Sequence, residues 1–383
     1  MTSASEVHSA GDLGTFRGGS GFPLRHQGGK SGDLPFFKVS DMNSSGNELF
    51  MTRANNYITE SQRKALGAVR IPARAIVFAK VGAAVFKERK RILAQDSCID
   101  NNMAAFIVDE RQLDVRFAHH LLTAFTMSDL VAVGALPSLN GGQLRSIPML
   151  VPTELSDQRR IAAALTDADD LIDTLDALID KKQAIRQGMM QQLLTGRTRL
   201  PGHTAEWQSR RLGELLAYEQ PGRYLVSSTD YNGTGTPVLT AGKTFLLGHT
   251  AERHGIFRNL PVIIFDDFTT ASKFVDFPFK AKSSAMKMLS ARPGVNLRYI
   301  FERMQLIDFA AVDHKRRWIA EFSKIEVRVP EQDEQDEIAA VLVAAESEVA
   351  GLEKRVMKAR AIKTGMMQQL LAGRSPLPVE AAS

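Results

Sequence analysis

One helical segment is written twice in this chain. Residues 158–201 and 335–378 align without a gap, 177 positions apart, with 21 of 44 residues identical and the run Gly-Met-Met-Gln-Gln-Leu-Leu shared. A long repeat separated by unlike sequence means two copies of one structural unit. The chain therefore reads as globular part, long helix, globular part, long helix. The expected boundaries are 1–152, 153–200, 201–330 and 331–374, followed by a flexible tail over 375–383.

Both copies carry apolar residues at alternating spacings of four and three. The first runs Ile161, Leu165, Ala168, Ile172, Leu175, Ile179, then Met189 and Leu193; the second runs Ile338, Leu342, Ala345, Val349, Leu352, Val356, then Met366 and Leu370. This is a heptad seam in one frame, broken near Lys182 and Arg186 and again near Ala359 and Lys363. About 40 residues at a rise of 1.5 Å make a rod of about 60 Å, and its apolar stripe calls for a partner helix. Residues 154–180 carry −6 and 181–199 carry +5; residues 331–353 carry −8 and 354–374 carry +6. Antiparallel packing sets each acidic half beside the other's basic half. The helix dipole accounts for part of each gradient but fades within a turn of each end. The expectation is an antiparallel intrachain coiled coil with a pseudo-twofold, joining two mixed α/β domains in an α+β chain.

The segments Met189-Met190, Leu193-Leu194, Met366-Met367 and Leu370-Leu371 hold more apolar surface than one seam absorbs. Either they bury against the adjacent globular part, or they form a second interface for a partner protein.

The net charge of +5 divides unevenly: +4 on 1–152, −1 on 153–202, +5 on 203–330 and −3 on 331–383. The excess positive charge sits on the globular parts, and a polyanion is their natural partner. A weaker echo links these parts. Each has a proline and an apolar strand (Pro72 to Phe78; Pro261 to Phe265), then a polar, basic loop, then a strand running into Val-Pro. Candidate nucleic-acid contacts in the first are Lys38, Ser40, Lys80, Lys87, Arg89, Lys90, Arg91, Asn101 and Asn102. In the second they are Lys243, Lys273, Lys282, Ser283, Ser284, Lys287, Lys315, Arg316 and Arg317. Lysine and arginine neutralise phosphates, and with Asn and Ser they reach base edges. Any one of them is also compatible with plain solvated surface; the expectation rests on the clusters.

Catalytic chemistry is not legible. Thr240-Ala-Gly-Lys-Thr resembles the end of a phosphate loop, but Pro237 stands where its first glycine belongs. Glu88-Arg-Lys90 and Asp313-His-Lys315 lack acidic partners at a sensible upstream spacing, the histidines show no metal-ligand spacing, and His119-His120 reads as helix surface. One cysteine, Cys98, excludes an intrachain disulfide. No membrane span or leader is apparent, so a cytoplasmic protein without cofactor or metal is expected.

Paired globular parts separated by helices ending in GMMQQLLTGR and GMMQQLLAGR resemble the specificity subunits of type I restriction–modification systems. LPFFKVSDM from Leu34, IVFAKVGAAVF from Ile76 and LTAGKTFLLG from Leu239 are similar to target recognition domains of that family. The resemblance implies a non-catalytic subunit whose globular parts each read half of a split double-stranded DNA target. It implies helices that fix the gap and bind two modification (methyltransferase) subunits, through which restriction (motor-nuclease) subunits join. A type IIB-like or orphan methylation system, or a coiled-coil adaptor binding only proteins, stands as the alternative. The second part opens with Glu206-Trp207 and Arg211-Leu-Gly-Glu; the region from Ser5 to Asp12 lacks that Trp. The expectation there is a truncated or misassigned start, or a missing first strand.

Overall fold

The computed structural model describes residues 4–131, 137–231, 234–242, 244–309 and 317–373. The chain divides into two compact units, residues 1–174 with 356–383, and residues 175–355. Both long helices pass from one unit to the other, so each unit holds half of each.

The first unit contains, in chain order, β1 (Ser5–Ser9), β2 (Gly14–Gly18), β3 (Leu34–Phe37), β4 (Phe50–Met51), β5 (Tyr57–Ile58), α1 (Glu60–Leu66), β6 (Ile76–Ala79), β7 (Lys90–Leu93), β8 (Cys98–Ile99), β9 (Met103–Val108), α2 (Val115–Ala124), α3 (Gly141–Arg145), β10 (Pro148–Pro152) and the start of α4 (Leu155–Leu193). The second holds the rest of α4, then β11 (Gln208–Arg211), α5 (Leu212–Leu215), β12 (Leu216–Glu219), β13 (Thr236–Leu239), β14 (Leu246–Thr250), β15 (Val262–Asp266), β16 (Ser272–Val275), β17 (Lys280–Ala281), β18 (Met286–Ala291), α6 (Leu297–Met304), β19 (Glu326–Val329) and most of α7 (Gln332–Leu370).

The two units repeat one topology. Strand orders β2-β9-β6-β7 and β5-β3-β8 in the first match β12-β18-β15-β16 and β14-β13-β17 in the second, and the first unit adds β4 at the edge beside β7. The middle strand is buried on both faces, as a continuous apolar run requires, and period-2 alternation splits its side chains between two cores. Ile76 and Phe78 join one core and Val77 the other; Ile263 and Phe265 join one and Ile264 the other. Strand β1 pairs antiparallel with β10 as β11 does with β19, so the alternative of a missing first strand does not hold.

A pair of equivalent glutamines fixes each long helix to its unit. Gln158 is fully buried; its Nε2 donates to Pro152 O and Gln112 O, and its Oε1 accepts from Asp114 N. Gln335 donates to Pro330 O and accepts from Asn296 N. Asp114 and Asn296 are the N-caps of α2 and α6. One amide thus ties the last strand, the long helix and the short helix together without leaving a buried backbone group unpaired.

Within each unit the two long-helix segments run antiparallel, as the charge pattern predicts. In the first, Lys363 pairs with Asp169. In the second, Lys182 Nζ lies 2.7 Å from Glu348 and Arg199 Nε 2.6 Å from Glu334. The polar break in the seam also has a use: Arg186 Nη2 reaches 3.0 Å to Glu302, whose carboxylate is buried on α6. The equivalent place on α2 is His120. Both His119 and His120 are buried, not on the helix surface as the sequence suggested. Burial holds each imidazole down at about 4.

Candidate nucleic-acid interface

In the first unit the ends of β3 and β6 and the β8–β9 turn come together. Asp100 N donates to Phe37 O at 2.9 Å, and Lys80 N donates to Asn102 O at 2.8 Å. These two bonds gather Lys38, Ser40, Lys80, Asn101 and Asn102 at one end of the two sheets. Ser40, Asn101 and Asn102 are exposed; Lys38 and Lys80 are half-buried, with Lys38 Nζ 3.0 Å from Gln27 Oε1. Asp100 is buried among them, and burial raises its carboxyl above the ordinary range. Gly19 is required here, because a Cβ at this position would lie 1.9 Å from Asp100 O.

The turn from Lys87 to Arg91 adds the other predicted cations, but sorts them. Glu88 adopts a left-handed φ of 51°, uncommon for a side-chain-bearing residue. Its carboxylate holds the turn by accepting from Ser128 N at 2.7 Å and Met127 N at 3.1 Å, and by pairing with Lys90. Lys87 is thereby exposed, Arg89 half-exposed and Lys90 buried. Lys90 Nζ bonds Glu88 and Phe125 O, so it is an interior cation and not a surface contact. Arg91 is half-buried, and desolvation pulls its guanidinium down. Asn43, overlooked in the sequence, contacts Arg89, and the two line one cleft with Val39, Met42 and Lys87.

The second unit uses the same frame with different residues. Lys282 N donates to Leu239 O and Asp267 N to Ala285 O, the counterparts of the Asp100 and Lys80 bonds. Asp267 thus stands where the first unit has Lys80, and Lys282 where it has Asp100. Lys282 and Ser284 are exposed, with Lys282 Nζ 5.9 Å from the Tyr231 ring centroid. Ser283 Oγ is spent on Ala285 N, closing the turn. Lys273 is exposed on edge strand β16, opposite Ile264 of β15.

Two candidates of the second unit are interior. Lys287 is 1% exposed and bonded to Asp267 and Gln220. Arg317 is 2% exposed, paired with Glu321 and set over the Phe309 ring, while its backbone N–H donates to Asp267. Lys243, Lys315 and Arg316 lie outside the described residues.

The candidate partner-binding segments also turn inward. Met190, Leu193 and Leu194 join the core around Trp207 and Leu212, with Met189 packed on it. Leu370 and Leu371 join the core around Phe106 and Ile161, with Met366 and Met367 packed on it. The surplus apolar surface is taken up by the chain's own domains, because each helix end must close the core of the unit it reaches. No cluster of metal-ligating side chains and no helix able to cross a membrane occurs among the described residues.

Residues 3–183 match the family model described as "Type I restriction modification DNA specificity domain". Over 149 residues the chain is 49% identical to the specificity subunit of the type I restriction enzyme EcoR124I/EcoR124II of Escherichia coli, covering 37% of this chain and 36% of that one. It is 24% identical over 264 residues to the putative type I restriction enzyme MjaX specificity subunit of Methanocaldococcus jannaschii, covering 62% and 61%. The match thus spans about a third of the first relative's length and three-fifths of the second's. Among solved structures, the type I restriction–modification S subunit from M. genitalium aligns over 96% of both chains with a TM-score of 0.65 at 13% identity. The HsdS subunit from Thermoanaerobacter tengcongensis aligns over 97% of both with a TM-score of 0.50 at 14% identity. Residues 3–183 therefore belong to the type I restriction modification DNA specificity domain family, and the chain as a whole has the fold of a type I specificity subunit.

Proposed function

We propose that this chain is the DNA-reading specificity subunit of a type I restriction–modification complex acting in the cytoplasm. Each unit reads one half of a bipartite duplex target, and the long helices set the gap and dock two methyltransferase subunits, through which restriction subunits join. The chain performs no chemistry of its own; it supplies position. The observation that carries this reading is the divergence of equivalent places on one repeated frame: Lys80 and Asp100 in the first unit against Asp267 and Lys282 in the second. Equivalent scaffolds with unlike loop ends suit two unlike half-sites.

The test is a gel shift of the full chain on genomic fragments, with and without methyltransferase subunits, across a salt series. Binding falls steeply with salt, because each neutralised phosphate releases a counterion. Exchanging residues 1–152 for those of another specificity subunit changes one half-site; a change in both halves rejects the reading.

A further inference from the structure

We propose that Arg89 and Asn43 together read a guanine in the half-site taken by the first unit. The inference rests on the DNA-reading function above and adds a residue pair and a base to it.

A cleft of about 220 Å³ opens at the loop ends of this unit. Its floor is apolar, formed by Val39, Met42, Ala79 and Ala84, and Asn43, Lys87 and Arg89 stand at its rim. Arg89 Nη1 contacts Asn43 Oδ1. The orientation of the amide is forced, because a guanidinium only donates and the oxygen of Asn43 must face it. The acceptor of Asn43 is therefore turned to the guanidinium and engaged through one of its two lone pairs. With that oxygen facing Arg89, the groups of the pair left for a ligand of the cleft are chiefly donors, the Nδ2 amine of Asn43 and the unused N–H groups of Arg89.

A donor-presenting pair discriminates among the major-groove edges. Adenine offers N7 as acceptor and N6–H as donor, and an asparagine reads it only with its oxygen free. Cytosine offers a donor, and thymine one acceptor beside a methyl group. Guanine alone offers two adjacent acceptors, O6 and N7. Among the described residues Arg89 has no ion pair, while its neighbour Lys90 is neutralised by Glu88. The left-handed Glu88, held by two backbone N–H donors from Met127 and Ser128, sends Lys90 inward and leaves Arg89 on the cleft. An outlying backbone conformation stabilised from outside the turn is the kind of device that fixes a reading group in place. A phosphate contact would need neither the amide partner nor the apolar floor.

The test uses the full chain with its methyltransferase subunits and duplexes selected from a randomised library. The half-site of the first unit contains a G·C pair at which R89A loses at least tenfold of its discrimination; N43A lowers it as well, and the other half-site is unchanged. Replacing that guanine with 7-deazaguanine, which lacks the N7 acceptor, weakens wild-type binding about tenfold and R89A binding little. Inosine, which keeps O6 and N7, binds as guanine does. Thermal midpoints of both variants match the parent, since both side chains are at the surface. R89A binding that weakens equally on all sequences makes Arg89 a phosphate contact and overturns the proposal, as does lost discrimination at an A·T pair. A wild-type complex without any sequence preference rejects the specificity-subunit reading itself, a separate failure.

Discussion

Lys287 Nζ lies 2.8 Å from Asp267 Oδ2, and neither side chain is more than 2% exposed. Lys287 stands opposite Phe265 on the central strands, where the first unit has Ala104 opposite Phe78. The other oxygen of Asp267 accepts from Trp318 N at 2.8 Å and Arg317 N at 3.1 Å, so one carboxylate satisfies a buried cation and anchors a returning segment. Removing one member of such a pair leaves a buried charge uncompensated, at a cost of about 3–5 kcal/mol. Asp267→Leu is therefore expected to destabilise the second unit by that amount in chemical denaturation, and Asp267→Leu with Lys287→Met to recover a large part of it.

The buried glutamines make unequal demands. Gln158 satisfies three backbone groups and Gln335 two. Each group left unpaired costs about 1–3 kcal/mol. Gln158→Leu should lower the thermal midpoint more than Gln335→Leu, and hydrogen exchange should locate the loss in the first and second units respectively.

Stability should depend on pH through His119 and His120. Burial holds both folded-state values at about 4, against 6.5 for the free side chain. Above pH 6.5 both states are neutral and nothing changes. Between about 6.5 and 4 the unfolded chain takes up protons that the folded chain refuses, so stability falls as pH falls through this window. Denaturation midpoints measured from pH 7.5 to 4.5 should decline, and His119→Gln with His120→Gln should flatten the slope. A parent protein whose midpoint is level across that range contradicts the buried placement.

Gly19 offers a local test of the first unit's loop ends. A methyl group there would meet Asp100 O at 1.9 Å and push the Asn101–Asn102 turn out of place. Gly19→Ala is expected to weaken recognition of one half-site at least tenfold while leaving the other intact, read by competition with half-site-scrambled duplexes.

The helices were legible because their information is local: a repeat, a seam and a charge gradient all lie along one element. The antiparallel pairing followed from charge alone, and Lys363 with Asp169 and Lys182 with Glu348 carry it out. Loop chemistry was less legible because a lysine's fate is decided across strands. Lys87 and Lys90 look alike in sequence, yet the backbone turn at Glu88 exposes one and buries the other. Lys287 was misplaced for the same reason, since Asp267 lies 20 residues upstream and only the β15–β18 register brings it near. The Met-Met and Leu-Leu segments admitted two readings until the cores of the units appeared around them.

The division of the chain has a consequence for how the protein is made. The second unit is one uninterrupted stretch, residues 175–355, whereas the first needs residues 356 onward to be complete. Leu370 and Leu371, which seal the core begun by Ala10 and Leu13, leave the ribosome after everything else in that core. The half of the molecule that is born first thus waits, open at one seam, until the half born later has already had the chance to fold.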